Sequence, residues 1–140
     1  MFIKKQPEVI AGAIVYNNEG DIFLAKSYKW QNTWVIPGGH VQYGEKLTTA
    51  MIREVKEETN MDVANVKLIN VNDNLDGDVY YKKKHLVFIN FYAKYIGGEI
   101  KLNEELQEYE WFKPAEALKL DLIPSMKILL QTYIEKNEKN

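Results

Sequence analysis

One stretch of this chain breaks the pattern it begins, and the break limits what the chain can fold into. Lys46–Thr59 reads as a helix entered from a loop bracketed by Gly38-Gly39 and Gly44, with Asn60 as a left-handed cap after it. At about 100° per residue, taking Glu54 as zero, Leu47, Ala50 and Met51 fall within roughly 60° of the same line. Glu58 falls about 40° to one side of Glu54 and Glu57 about 60° to the other. The N-terminal half of this face is apolar and is expected to meet a core, while the C-terminal half carries three carboxylates. Ile52 and Val55 lie on a different side, so the helix is expected to be covered there too.

Clustered like charges have a cost. Each i, i+3 or i, i+4 carboxylate pair costs roughly 0.2–0.5 kcal/mol on an open helix, and more where water is partly excluded. The acids also sit at the helix end that the macrodipole disfavours. A divalent cation removes both penalties, and carboxylate oxygens are the donors that hard Mg²⁺ or Mn²⁺ prefers. Taken alone, Arg53–Glu58 is better explained as a solvated, charge-mixed helix. The material upstream reverses that. Gly38-Gly39 lets backbone carbonyls approach a metal or phosphate closely, and Glu45 can satisfy free N–H groups at the helix entrance or pair with Arg53.

The remaining segments supply a sheet. Glu8–Tyr16 is β-branched and apolar on both faces, Asn17–Asp21 turns the chain, and Ile22–Ala25 returns as a second strand. Trp34–Ile36 is a short strand stopped by Pro37; Val66–Val71, His85–Tyr95 and Tyr109–Phe112 are further strands. Pro114 opens a helical turn, and a last helix starts near Pro124 with Met126, Leu129, Leu130, Tyr133 and Ile134 on one face. The expected architecture is α/β, a mixed sheet sandwiched between helices.

Composition narrows the chemistry. The chain of 140 residues is expected to form a single domain over residues 1–140, and at 46% hydrophobic it can bury a core unaided. It has no cysteine, which excludes a disulfide framework, a zinc–thiolate site and a thiol nucleophile. The segment Met1–Pro7 is too short and polar for a signal peptide, and no apolar run approaches the roughly 20 residues needed to cross a bilayer. A cytoplasmic location with no membrane partner is the expectation. The net charge of −2 argues against bulk nucleic acid as a partner, but a bridging cation would admit a small anionic substrate. Glu135–Asn140 is expected to fray.

Gly39, Glu45, Arg53, Glu54, Val55, Glu57, Glu58 and Met61 stand at the spacings of the Nudix box: Gly, five residues, Glu, seven residues, Arg-Glu-aliphatic-any-Glu-Glu-any-Gly-aliphatic. Such a set arises by chance on the order of once in 10⁸–10⁹ starting positions. The chain therefore resembles the Nudix hydrolase family, with its box over residues 39–61. Asn60 stands where the family has glycine, at a cost of about 1 kcal/mol in a left-handed cap. Met61 is unbranched where a branched aliphatic is common.

The resemblance implies a Nudix fold and a Mg²⁺-dependent hydrolase (Mn²⁺ being the other candidate) that cuts a phosphoanhydride bond. It implies Gly39, Glu54, Glu57 and Glu58 as metal ligands. Arg53 and Glu45 would be the pair that orients the helix, and Glu57 or Glu105 would be the water-activating base. Glu105 is carried over from family members with a glutamate about six residues before a tryptophan, here Trp111.

The run Ile100–Pro114 is similar to the nucleoside triphosphatase branch, which implies a (deoxy)nucleoside triphosphate cut to nucleoside monophosphate and diphosphate. Members acting on ADP-ribose often carry a proline where this chain has Asp76. Tyr80 and Tyr81 lie near a tyrosine of dinucleoside-polyphosphate members, though Gly77 spoils the register. A nucleoside diphosphate joined to a sugar or second nucleotide stays open as substrate, as does a non-catalytic nucleotide-binding module. The intact glutamate set argues against the module. Lys26, Tyr28 and His40 are candidates for contact with a small nucleotide, with Lys29, Trp30, Tyr80 and Tyr81 beside them, each weighed against ordinary packing. A homodimer stays open.

Overall fold

The computed structural model describes residues 5–74 and 80–138. Its strands are β1 (Glu8–Tyr16), β2 (Ile22–Ser27), β3 (Thr33–Val35), β4 (Gly38–His40), β5 (Asp62–Asn74), β6 (Leu86–Gly97) and β7 (Glu108–Phe112). Its helices are α1 (Leu47–Thr59), α2 (Pro114–Ala117) and α3 (Pro124–Glu138), with a 3-10 turn over Tyr28–Trp30.

β1 is apolar on both faces because it lies inside the sheet with a helix on either side. It runs parallel to β6, from Glu8↔Leu86 to Tyr16↔Lys94. Along its other edge it meets β4 through Ile10–Gly12, and then β2 at Tyr16↔Ile22. β2 is flanked by β3 and β7, and β5 pairs with β6, all antiparallel, in one seven-stranded mixed sheet. Alternation sorts the side chains of each strand. Ala11, Ala13, Val15, Phe23 and Phe91 join Ala50, Met51 and Val55 of α1 in one core. Ile14, Ile22 and Leu24 join Met126, Leu129, Leu130 and Tyr133 of α3 in the other. The architecture expected, a mixed sheet between helices, is the one observed. No helix among the described residues is long and apolar enough to cross a membrane.

Several expectations shift. The buried arc of α1 is Ala50, Met51, Val55, Glu58 and Thr59. That arc is centred on Met51 and Glu58 rather than on Glu54; Ile52, just past its edge, is 40% exposed, and Leu47, the first residue of the helix, is 41% exposed although its direction falls inside the arc. β5 is a long edge strand with register shifts, and its bulges blur the period-two signal that would have revealed its length. Gly38–His40, expected as loop, forms β4. α3 continues to Glu138, through residues expected to fray.

β4 lies close to β1 because both strands carry glycine where they cross. A Cβ on Gly38 would sit 2.6 Å from Gly12 Cα and 2.7 Å from the Ala11 carbonyl oxygen. Backbone cannot yield there as a flexible side chain would. Gly38→Ala is therefore expected to destabilise the fold by about 1–3 kcal/mol, as overpacking commonly does. Urea unfolding reads this directly, and an unchanged midpoint at equal slope would show that β4 is not tightly seated.

Candidate active site

Glu58 belongs to the buried arc of α1, so the fold draws a carboxylate into its interior, where it is 2% exposed. One oxygen, Oε1, accepts the Gly38 N–H at 3.1 Å; the other, Oε2, is buried with no donor against it among the described residues. Loss of hydration pushes the Glu58 pKa up to about 9, the neighbouring Glu105 and Glu54 carboxylates add to the rise, and the Gly38 hydrogen bond opposes it.

Glu54, one turn earlier, accepts from Arg53 Nη1 at 2.9 Å. Burial raises its pKa and Arg53 works against that rise. Its carboxylate lies against Gly39, where any Cβ would collide with it. Glu105 arrives from the loop before β7. Its N–H donates to Asn103 Oδ1 at 3.0 Å, and its carboxylate accepts from Lys29 Nζ at 2.8 Å. Each of Glu54, Glu58 and Glu105 offers a carboxylate oxygen, and the three atoms lie within 4.8 Å of one another.

Arg53 braces this arrangement from the solvent side. Its Nε and Nη2 grip the two oxygens of Glu45 at 2.7 and 3.0 Å, a fork that single-point cations cannot reproduce. Nη2 also donates to the His40 carbonyl at 3.0 Å. Glu45 takes the Gln42 N–H at 3.0 Å, so it closes the loop before α1 and does not cap the helix. The Arg53 guanidinium holds the Glu45 carboxyl down at about 2. At the other helix end, Asn60 adopts the left-handed conformation with φ 64°, and its Nδ2 donates to the Glu99 carbonyl at 2.9 Å.

A cavity of ≈ 200 Å³ opens beside the three carboxylates. Gly39, His40, Glu54, Glu58, Glu105, Lys29, Trp30 and Tyr80 line it. Other expected residues are not brought there. Glu57 lies about 60° from Glu54 on the side away from the buried arc. Its side chain is 55% exposed, and the Arg53 Nη1 that it meets at 3.2 Å also holds Glu54 at 2.9 Å, so it stands beside the cluster on its solvent side without lining the cavity. Lys26 alternates away from Ser27, pairs with Glu108 at 3.3 Å and lies 5.0 Å over the Trp34 ring. Tyr28 is 47% exposed and packs edge-on against Tyr81. His40 lines the cavity while its Nε2 is 2.6 Å from Glu8 Oε1. Asp76 and Gly77, on which two of the substrate comparisons turned, lie outside the described residues. Asn90, Gln42 and Phe88 line the cavity without having been singled out. The one sequence signal for Asn90 was a polar residue amid the apolar run of β6.

Residues 6–133 match the model of the family described as NUDIX domain. The chain belongs to the NUDIX domain family. It is 31% identical over 103 residues to an ADP-ribose pyrophosphatase of Methanocaldococcus jannaschii, an overlap of 74% of this chain and 59% of that protein. It is 27% identical over 115 residues to the nucleoside triphosphatase NudI of Escherichia coli, covering 75% of this chain and 82% of that one. A MutT protein from Methanosarcina mazei superposes with a TM-score of 0.78 at 22% identity, over 98% of this chain and 99% of the other, which establishes the shared fold. The chain spans 59% of the length of the M. jannaschii relative and less than half of several other curated relatives.

The buried Glu58 sets a pH dependence on this NUDIX domain. Its folded pKa of about 9 lies above its ordinary 4.5, so between those values the folded chain holds a proton that the unfolded chain has released. Stability from this group is intact below pH 4.5 and falls as pH rises toward 9. Glu58→Gln removes that dependence. In chelator, its Tm is expected to gain on the unsubstituted protein steadily from pH 5 to pH 8.5; parallel Tm curves across that range would contradict the burial.

Proposed function

We propose that this NUDIX domain is a magnesium-dependent hydrolase of a phosphoanhydride bond in a (deoxy)nucleoside triphosphate, yielding nucleoside monophosphate and inorganic diphosphate. The observation that carries the reading is the meeting of Glu54, Glu58 and Glu105 within 4.8 Å beside a cavity. The donors are all carboxylate oxygens, and Glu58 Oε2 is buried with no donor against it. That set fits a hard divalent cation, Mg²⁺ or Mn²⁺. Glu54, Glu58 and Glu105 would hold it, with the Gly39 carbonyl as a further ligand. Such an ion supplies neutralisation of phosphate charge and a lowered pKa for the attacking water.

The protein's own groups then position and move protons. The Gly38 N–H keeps Glu58 turned inward, and Arg53 keeps Glu54 beside Gly39. Between the two candidate bases, Glu105 lines the cavity and Glu57 does not, so Glu105 takes the proton of the water in this reading. Lys29, bonded to Glu105, is the cation best sited for a phosphate oxygen, whereas Lys26 is turned to Glu108 and Trp34. His40 lies on the same wall.

The nucleoside triphosphatase name of the E. coli relative supports a triphosphate substrate. The M. jannaschii relative, at the higher identity of 31%, supports a second reading: cleavage of a nucleoside diphosphate joined to another moiety. A nucleotide panel with Mg²⁺ separates them. The first reading expects inorganic diphosphate and a nucleoside monophosphate from a triphosphate; two phosphomonoesters from ADP-ribose, with triphosphates untouched, would replace it by the second. Release of orthophosphate alone from triphosphates would move the cut to an outer phosphorus. Glu58→Gln is expected to lower kcat at least ~100-fold with the fold retained, as loss of a charged group at a reacting centre commonly does. Near-normal turnover would remove Glu58 from the machinery.

A further inference from the structure

The cavity beside the carboxylates has a neighbour. A second, smaller cavity of ≈ 60 Å³ shares Trp30, Phe88 and Asn90 with the first and is lined in addition by Asn72 and Ser125. Strand register explains why the two lie side by side. His40 pairs with Ile10, Ile10 with Phe88, and Phe88 with Asn72, so one row of residues runs from the glycine turn across four strands. Three strand spacings make roughly 14 Å, a span on the scale of an extended nucleotide. Carboxylates stand at one end of this row and amides at the other.

Those amides are unusual for an interior sheet face. Asn70, Asn72 and Asn74 occupy alternating positions of β5, and Asn90 stands opposite Asn70 on β6. A buried amide is costly unless its atoms are paired. Asn90 meets that requirement in part, since its Nδ2 donates to Asn70 Oδ1 at 2.9 Å. Asn72 does not: its Oδ1 is buried with no donor against it among the described residues. An aliphatic side chain would fill the same place without that penalty. An acceptor held in an apolar wall fits a ligand that brings its own donor. Trp30 lines the same cavity as Asn72, its ring held 4.6 Å from Tyr80 and 5.9 Å from Phe88.

We propose that Asn72, on a cavity wall that it shares with Asn90, reads the nucleobase by accepting a hydrogen bond from an exocyclic amino group while the base lies against Trp30. This rests on the nucleotide reading above and deepens it. The domain favours adenine or cytosine nucleotides over the partners that carry oxygen in place of the amino group.

Paired ligands test this: adenosine against inosine, and cytidine against uridine. The monophosphates are titrated for affinity and the triphosphates assayed with Mg²⁺ for kcat/KM. In at least one pair the amino member is expected to bind at least ~10-fold more tightly, the value of about one well-made hydrogen bond. Asn72→Leu is expected to reduce that ratio below ~3-fold while leaving Tm unchanged or higher, because an unpaired amide has been replaced by an apolar side chain. Asn72→Ala, which only removes atoms, must give the same loss of preference. Equal binding within both pairs, or a preference that survives both variants, overturns the proposal. Triphosphates cut with no amino preference overturn base reading alone. Monophosphates bound with the preference, but triphosphates left intact, overturn the hydrolytic reading alone. Failure to bind any nucleotide overturns both.

Discussion

The hydrogen bond from the Gly38 N–H to Glu58 joins the two parts of this molecule that have to agree. On one side is α1, whose buried arc carries a carboxylate where an apolar residue would pack at lower cost. On the other is β4, which reaches α1 only because glycine at 12 and 38 lets two backbones cross closely. The bond satisfies one Glu58 oxygen and leaves the second without a donor. Desolvation then makes the ionised form expensive unless positive charge arrives from outside the chain. Fold and chemistry therefore depend on the same contact. The glycines that admit β4 also bring backbone beside Glu54 and Glu58.

Around that contact the protein spends its cations sparingly. Arg53 grips Glu45 and reaches Glu54 and Glu57 from outside, so it braces the helix without entering the carboxylate cluster. Lys29 takes one oxygen of Glu105. Neither cation is bonded to Glu58, whose Oε2 is left without a donor among the described residues and whose pKa stays raised. An arrangement built only for stability would have closed the set with another Lys or Arg. Keeping it open is the mark of a site that receives its charge balance from a ligand.

The cavity extends the same logic across the sheet. The acidic wall of the first cavity is assembled from α1, β4 and the loop before β7, and β6 lines both that cavity and its smaller neighbour, to which β5 and α3 also contribute. β1 and its parallel neighbour β6 hold the two cavities in a fixed register, so the distance between them is a property of strand spacing and not of loop conformation. Rigid elements of this kind suit a site that must position both ends of one ligand.

Helical periodicity and the box spacing by themselves determined that Glu54 and Glu58 lie near one line of a helix beside a glycine turn, and with it the family and the fold class. Such regularities are local: 100° per residue relates neighbours whatever the rest of the chain does. Which side of that line faces the interior was not local. The arc of α1 turned toward Met51 and Glu58, and so Glu57 faced solvent. Lys29 and Glu105 stand 76 residues apart, a pairing no window of sequence contains. β5 hid its length behind bulges, and its asparagines could be placed beside Phe88 and Trp30 only by the pairing with β6. Local geometry decided which residues can share a face; packing of distant segments decided what each face meets, because burial is settled by the whole chain at once.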